Sequence, residues 1–302
     1  EVAESGIAFQ NVFSVVDLSM DEPTLDDTMP DNERLIRAVQ EATGAERVGL
    51  TYQALKKLPD VLREQQFHVS AVLKNMDGKL MVYDVRPSGE EKLCAAAIDI
   101  GTTTVSGVIL DMRDGKILAK ASSGNGQIRF GADVINRIIE SRKEGGQEKL
   151  QKAIIEETIN PMLHNMCHAA GIHGSSIYHM CVASNTTMNH LFAGVNADPL
   201  RMEPYIPAFF ETDSINAYDL GLHVHPDASV VIAPNIGSYV GGDITAGTLV
   251  SMIWNKPEFN LFIDLGTNGE IVFGNSDFMM SCACSAGPAF EGGDISCGMR
   301  AT

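Results

Sequence analysis

One short pattern occurs twice. Ala95-Ala96-Ala97-Ile98 runs into Asp99-Ile100-Gly101-Thr102-Thr103-Thr104, and Leu261-Phe262-Ile263 runs into Asp264-Leu265-Gly266-Thr267-Asn268-Gly269-Glu270. Each is an apolar run of strand length that ends in an acid, a hydrophobe, a glycine and small hydroxyl or amide residues. The copies stand about one lobe apart, so the chain reads as two related lobes, each opening on the same turn.

The segments around these turns support that division. Residues 1–88 read as a small α/β unit. It has a strand at Ala8–Val16 and a helix capped by Asp31-Asn32-Glu33 and stopped by Gly44. A second helical pattern over Leu55–Arg63 has Pro59 as a break or new start. Two strands, Phe67–Lys74 and Lys79–Val85, are joined through Asn75-Met76-Asp77-Gly78. This unit shows no catalytic constellation and reads as a spacer or docking domain. The turn-rich Arg86–Lys92 marks a boundary. Residues 94–302 form the second unit. It begins with a three-stranded meander over Ala95–Ile100, Val105–Leu110 and Lys116–Ala121. Gly131-Ala132-Asp133 opens a helix through Arg142, and an amphipathic stretch from Gln147 to Ala170 is bent or divided at Pro161 and stopped at Gly171. Strand Ile177–Ala183 turns through Ser184-Asn185-Thr186-Thr187 into a helix ending at Gly194. After a proline-rich loop, strand Val230–Ala233 and Tyr239-Val240-Gly241-Gly242-Asp243 lead into a helix through Trp254. The second meander, starting at Leu261, reaches Thr302 before its helices, so the second lobe is expected to be truncated.

The repeated residue types suit polyphosphate chemistry. Gly101 and Gly266 allow a tight turn with close backbone approach to a phosphate. Successive N–H groups through Thr102-Thr103-Thr104 and Thr267-Asn268-Gly269 can form anion-binding concavities. Asp99 and Asp264, at strand ends, suit Mg²⁺ directly or through water. Either acid, or Glu270, could orient an attacking water. Gly241-Gly242-Asp243 offers either a helix N-terminus to an anion or a close helix–strand contact.

Other features exclude more than they identify. The 302 residues carry a formal net charge of −17, which disfavours a nucleic-acid partner. The sequence lacks an apolar run of membrane-spanning length and does not open on a signal-peptide pattern, so a cytoplasmic protein is expected. Glu1 in place of an initiator Met reads as a piece of a longer or processed chain. The six cysteines, Cys94, Cys167, Cys181, Cys282, Cys284 and Cys297, form no C-x-x-C pair and read mostly as small core residues. Cys282 and Cys284 with Cys297 match no usual iron–sulfur spacing. His164 and His168 stand four apart on a helix without a third ligand, which favours a surface or core role.

The paired turns resemble the phosphate-1 and phosphate-2 motifs of the acetate and sugar kinase, heat-shock cognate and actin superfamily. Within it, the order of several motifs resembles the reductive activators of corrinoid proteins. These are Asp99–Thr104, Asn125-Gly126-Gln127, Gly131–Ile138, Asn185-Thr186-Thr187-Met188, Val240–Ile244, Asp264–Glu270, Ala286–Gly292 and Gly298-Met299. Ser184 stands where that family has Gly, and Gly242 where it has Ala. The resemblance implies an α/β, actin-like (ribonuclease H-like) ATPase fold. It also implies ATP and Mg²⁺ as ligands, and ATP-driven electron delivery to the cobalt of a corrinoid protein. An iron–sulfur domain outside this chain or a separate electron donor would supply the electrons, and a homodimer is possible. The alternatives are a small-molecule kinase, a nucleotide-gated reactivase without redox chemistry, or a cluster shared between two subunits through Cys282 and Cys284.

Overall fold

Among the described residues three sheets follow one another along the chain. The computed structural model describes residues 12–89, 92–266 and 268–284. In chain order the first part comprises β1 (Phe13–Ser19), α1 (Asp31–Thr43), β2 (Val48–Leu50), α2 (Tyr52–Glu64), β3 (His68–Met76) and β4 (Lys79–Pro87). Its sheet has the order β1-β3-β4-β2. The β3–β4 register is fixed by a tight turn in which Asp77 and Gly78 both take positive φ, at 49° and 80°. The apolar faces of α1 and α2 (Leu35, Val39, Ala54, Leu58, Leu62) are buried against it.

Two local expectations give way here. α2 runs straight through Pro59, because Pro59 and Leu55 lie on its exposed side. There water can serve the Leu55 carbonyl that proline leaves without a donor. At α1 the N-cap is Pro30, not Asp31, and makes no side-chain cap. Asp31 lies inside the first turn, where its carboxylate accepts a 2.7 Å bond from Arg63 of α2.

The second part carries the larger core. It comprises β5 (Cys94–Ile100), β6 (Thr104–Asp111), β7 (Ile117–Gly124), α3 (Val134–Ser141), α4 (Gly146–Ile154), α5 (Asn160–Ala170), β8 (Ile177–Ser184), α6 (Thr186–Ala193), β9 (Ile215–Asn216), α7 (Ala217–Leu220), β10 (Ser229–Ile232) and α8 (Gly242–Ser251). The sheet order is β7-β6-β5-β8-β10-β9. β5–β6–β7 is an antiparallel meander, whereas β8 runs parallel to both β5 and β10. A π-helical turn at Ile155–Ile159 separates α4 from α5 and absorbs Pro161, which falls in the first turn of α5. One sheet face (Ile98, Ile100, Ile109, Met180, Val182) is buried with Leu150, Ile154, Met162, Leu163 and Leu191 of these helices. On the other face α8 reaches β8, and Ala246 borders a hollow of about 690 Å³ lined by Ala97, Asp99, Cys181 and Ala183. The last sheet is the antiparallel meander β11 (Asn260–Leu265), β12 (Gly269–Gly274) and β13 (Met279–Cys284).

A buried polar knot joins the first sheet to the second. Asp84 of β4 is 2% exposed. It accepts a 2.7 Å hydrogen bond from the Tyr178 hydroxyl of β8, pairs with Lys57 of α2, and lies 3.7 Å from His225. Burial pushes its carboxyl up, but His225 and Lys57 more than offset this and hold it at about 2. The same contact is sealed by Phe13, Tyr83, Leu93 and Tyr178. Removing the hydroxyl in Tyr178→Phe leaves a buried carboxylate oxygen without its donor and should cost roughly 1–3 kcal/mol. Asp84→Leu, which leaves the partners without their carboxylate, should cost as much or more. Urea denaturation of both variants checks this, and unchanged midpoints would remove the knot from the account.

Candidate functional site

Between β5 and β6 the backbone reverses over Gly101, Thr102 and Thr103. The Gly101 N–H donates to the Thr104 carbonyl at 2.9 Å, and a Cβ on Gly101 would lie only 2.6 Å from that oxygen. Only glycine fits so close a closure. The loop's carbonyls are turned into the protein. Gly101 O accepts from Asn125 Nδ2 at 2.8 Å, Thr102 O from Arg137 Nη2 at 2.6 Å, and Thr103 O from the Asn125 N–H at 2.8 Å. Thr102 is buried and its Oγ1 accepts from Asn185 Nδ2 at 3.2 Å, while Thr103 and Thr104 are exposed. In a trans peptide the carbonyl and the following N–H point opposite ways. The inward carbonyls therefore aim the amides of Thr102 and Thr103 outward, and these amides have no protein partner among the described residues.

The β11–β12 turn is built differently. Asp264 stands opposite Glu270 in the ladder, and the Gly266 N–H donates to Asn268 O at 2.9 Å. A Cβ on Gly266 would meet nothing nearer than Asn268 O at 3.7 Å. Among the described residues no protein atom crowds this glycine as Thr104 O crowds Gly101. Thr267 lies outside the described residues.

Gly241 and Gly242 bring α8 to the same edge. A Cβ on Gly241 would lie 2.4 Å from Asn185 Cα, and one on Gly242 2.4 Å from Ala233 O. Of the two roles foreseen for this glycine pair, the close helix–strand contact is the one visible in the packing. It carries Asp243 into the space between the two turns.

Four carboxylates from four elements gather there: Asp99 of β5, Asp243 of α8, Asp264 of β11 and Glu270 of β12. Burial, then the charge of Asp264, pushes Asp99 up. Burial with Asp99 and Asp264 raises Asp243 to about 6. Burial with Asp243 and Asp264 raises Glu270 to about 7. The two glycine turns thus face one another closely enough for their acids to repel across the gap. No group of three His, Cys, Asp or Glu among the described residues converges tightly enough to hold a metal by itself. Beside the acids, a hollow of about 790 Å³ is lined by Asp133, Asn136, Tyr239, Asn268, Cys282 and Cys284, among others.

Of the cysteines, Cys94 and Cys167 are buried, and burial raises both thiols, that of Cys94 to about 11. Cys181, Cys282 and Cys284 are exposed, which corrects the expectation that most are core residues; Cys282 and Cys284 alternate along the edge strand β13 and share one side. Cys297, Ala286–Gly292 and Gly298-Met299 lie outside the described residues. His164 and His168 are exposed on α5. The turn's supports, Asn125, Arg137 and Asn185, were not foreseen as site residues. All three stand inside motifs that carry the family resemblance, and Arg137 is also a charge directly before Ile138 on the buried stripe of α3.

This sheet order, with paired acid-glycine turns facing each other across a helix N-terminus, defines an actin-like fold of the acetate and sugar kinase, heat-shock cognate and actin class. Three family patterns match in succession: the RACo linker region over residues 2–92, the RACo middle region over 94–256, and the C-terminal domain of RACo, the ASKHA domain, over 258–302. The chain belongs to the RACo family. The solved structure of a reductive activator for corrinoid,iron-sulfur protein is 40% identical with a TM-score of 0.79, over 98% of this chain and 47% of that one. The corrinoid activation enzyme RamQ of Eubacterium limosum is 37% identical over 73% of this chain and 37% of its own length. A [Co(II) methylated amine-specific corrinoid protein] reductase of Methanosarcina barkeri is 34% identical over 25% of this chain and 14% of its own length. This chain thus spans less than half the length of these relatives. Among the described residues no helix is long and apolar enough to cross a membrane.

The acid cluster sets a pH dependence with a definite sign. Asp243 and Glu270 bind protons more tightly folded than unfolded, so the stability they contribute is present at low pH and declines as pH rises from about 4 to about 7. Glu270→Gln should flatten part of that decline in urea denaturation between pH 4.5 and 8. Mg²⁺ bound among these acids should release protons and bind more tightly as pH rises. A decline identical in the variant and the parent chain would contradict the assignment.

Proposed function

We propose that this chain is the nucleotide-responsive part of a reductive activator of corrinoid proteins, using ATP to drive electron delivery to an oxidised cobalt centre. The observation that carries the proposal is the meeting of the two acid-glycine turns, in a chain of the RACo family, with outward amides on one turn and mutually repelling carboxylates between both. Residues 1–88 serve as a spacer or docking unit and residues 94–302 as the ATPase unit.

In this reading the amides of Thr102 and Thr103 receive phosphate oxygens, with Thr104, Thr267 and Asn268 as further donors. Asp99 and Asp264 would hold Mg²⁺, whose charge would offset both the phosphates and the acids. Glu270, raised to about 7 by burial and the nearby acids, orients the attacking water and in its ionised form accepts the water's proton. Gly101 and Gly266 leave the phosphates room; Gly241 and Gly242 set the N-terminus of α8, with Asp243, at the cleft. The partner is a corrinoid protein, and the electrons come from an iron–sulfur donor outside the residues of this chain.

Nucleotide chemistry would need to supply only a modest bias. A bias of about 5.5 kcal/mol shifts a two-state equilibrium by about 10⁴-fold. A tenfold factor equals about 59 mV for a one-electron step, so roughly 0.2 V can be bridged. Coupling is reciprocal, so a bound corrinoid protein must alter ATP affinity if ATP alters the affinity for that partner. A kinase on the same fold would instead consume ATP only with a small acceptor.

The test is ATP hydrolysis by the full protein with and without an oxidised corrinoid protein. The proposal expects the rate to change saturably with that partner, and Glu270→Gln to lower turnover by roughly 10²-fold or more with little change in ATP affinity. A rate indifferent to the corrinoid protein, but dependent on a sugar or carboxylic acid, would favour the kinase.

A further inference from the structure

Arg137 is fully buried, at 0% exposure, on α3. Its Nε donates to Gly131 O at 2.9 Å, its Nη2 to Thr102 O at 2.6 Å, and its Nη1 to Met188 Sδ at 3.2 Å. All three acceptors are dipoles. No carboxylate pairs with it among the described residues. Asp133, the acid that acts on it through space, instead caps α3 at the Asn136 N–H and accepts from Asn136 Nδ2. Burial lowers its pKa to about 10, so it remains charged at neutral pH.

A buried charge without a counter-ion costs several kcal/mol. A chain that needed only a brace for the loop could use a neutral amide, as Asn125 does for Gly101 O. The guanidinium adds a positive charge directly behind the peptide whose far side presents the Thr103 N–H. It also ties α3 and the start of α6 to that peptide, through Gly131 and Met188.

We propose that Arg137 is a positioning residue for polyphosphate binding: its fork holds the Thr102 carbonyl inward so that the Thr103 amide faces the phosphates, and its unneutralised charge attracts them through the loop. The bound polyanion is the counter-ion that the described residues do not provide. This rests on the nucleotide site proposed above.

The experiment titrates MgATP, MgADP and AMP into the full chain, Arg137→Met and Arg137→Lys by calorimetry, with thermal melts to verify folding. Arg137→Met is expected to weaken MgATP by roughly tenfold or more, the loss of a hydrogen bond to a charged group. The loss should shrink from ATP to ADP to AMP, a gradient that simple disordering of the site would not produce. Arg137→Lys keeps the charge without the fork and should lose less, which also carries the test if the methionine variant does not fold. Parental MgATP affinity in either folded variant would overturn the role of Arg137 and leave the nucleotide site standing. Failure of the parent chain to bind MgATP would overturn both.

Discussion

The carbonyl oxygens of Gly101, Thr102 and Thr103 all point into the protein, and the site depends on that. Asn125, Arg137 and, through the Thr102 hydroxyl, Asn185 hold the loop from three separate elements. A loop held this way costs little to organise when a ligand arrives, because its amides already face solvent. The same Asn185 backs onto Gly241, so the first turn and the N-terminus of α8 share one support. Displacement of α8 would therefore be felt at the β5–β6 turn, and the reverse.

Charge is handled in opposite ways at the two ends of the second sheet. Near the start of β8, Asp84 is buried against cationic and hydroxyl partners and held at about 2. Near its other end, Asp243 and Glu270 are crowded by like charges and raised to about 6 and 7. The first arrangement is settled within the protein and fastens the small sheet to the large one. The second has no cationic partner among the described residues, and perturbed acids of this kind gather at functional sites. β8 joins the two, with Tyr178 in the knot and Ser184 leading into the Asn185 turn.

What the sequence disclosed was mainly local. The β5–β6 turn, the caps Asp133 and Asn185, and the glycine stops at Gly44, Gly171 and Gly194 follow from short-range sterics and hydrogen bonding, and they lie where the pattern put them. Pro59 misled because its effect depends on which side of α2 meets water. The short β2, only three residues long, has no periodicity to read and exists through its pairing with β4. In the site, the acids were legible from their repetition, but the supports were not. Arg137 gains its meaning from Thr102 and Met188, distant in sequence, and Asp84 from Tyr178 and His225. Gly241 is demanded by a backbone contact with Asn185 that no local motif announces.

The most direct test is a crystal structure of the full chain with ADP and Mn²⁺, recorded with anomalous scattering. The account predicts a Mn²⁺ peak between the carboxylates of Asp99 and Asp264, with phosphate oxygens on the amides of Thr102 and Thr103. A nucleotide bound on another surface, or a Mn²⁺ peak remote from both aspartates while the phosphates are ordered, would contradict it.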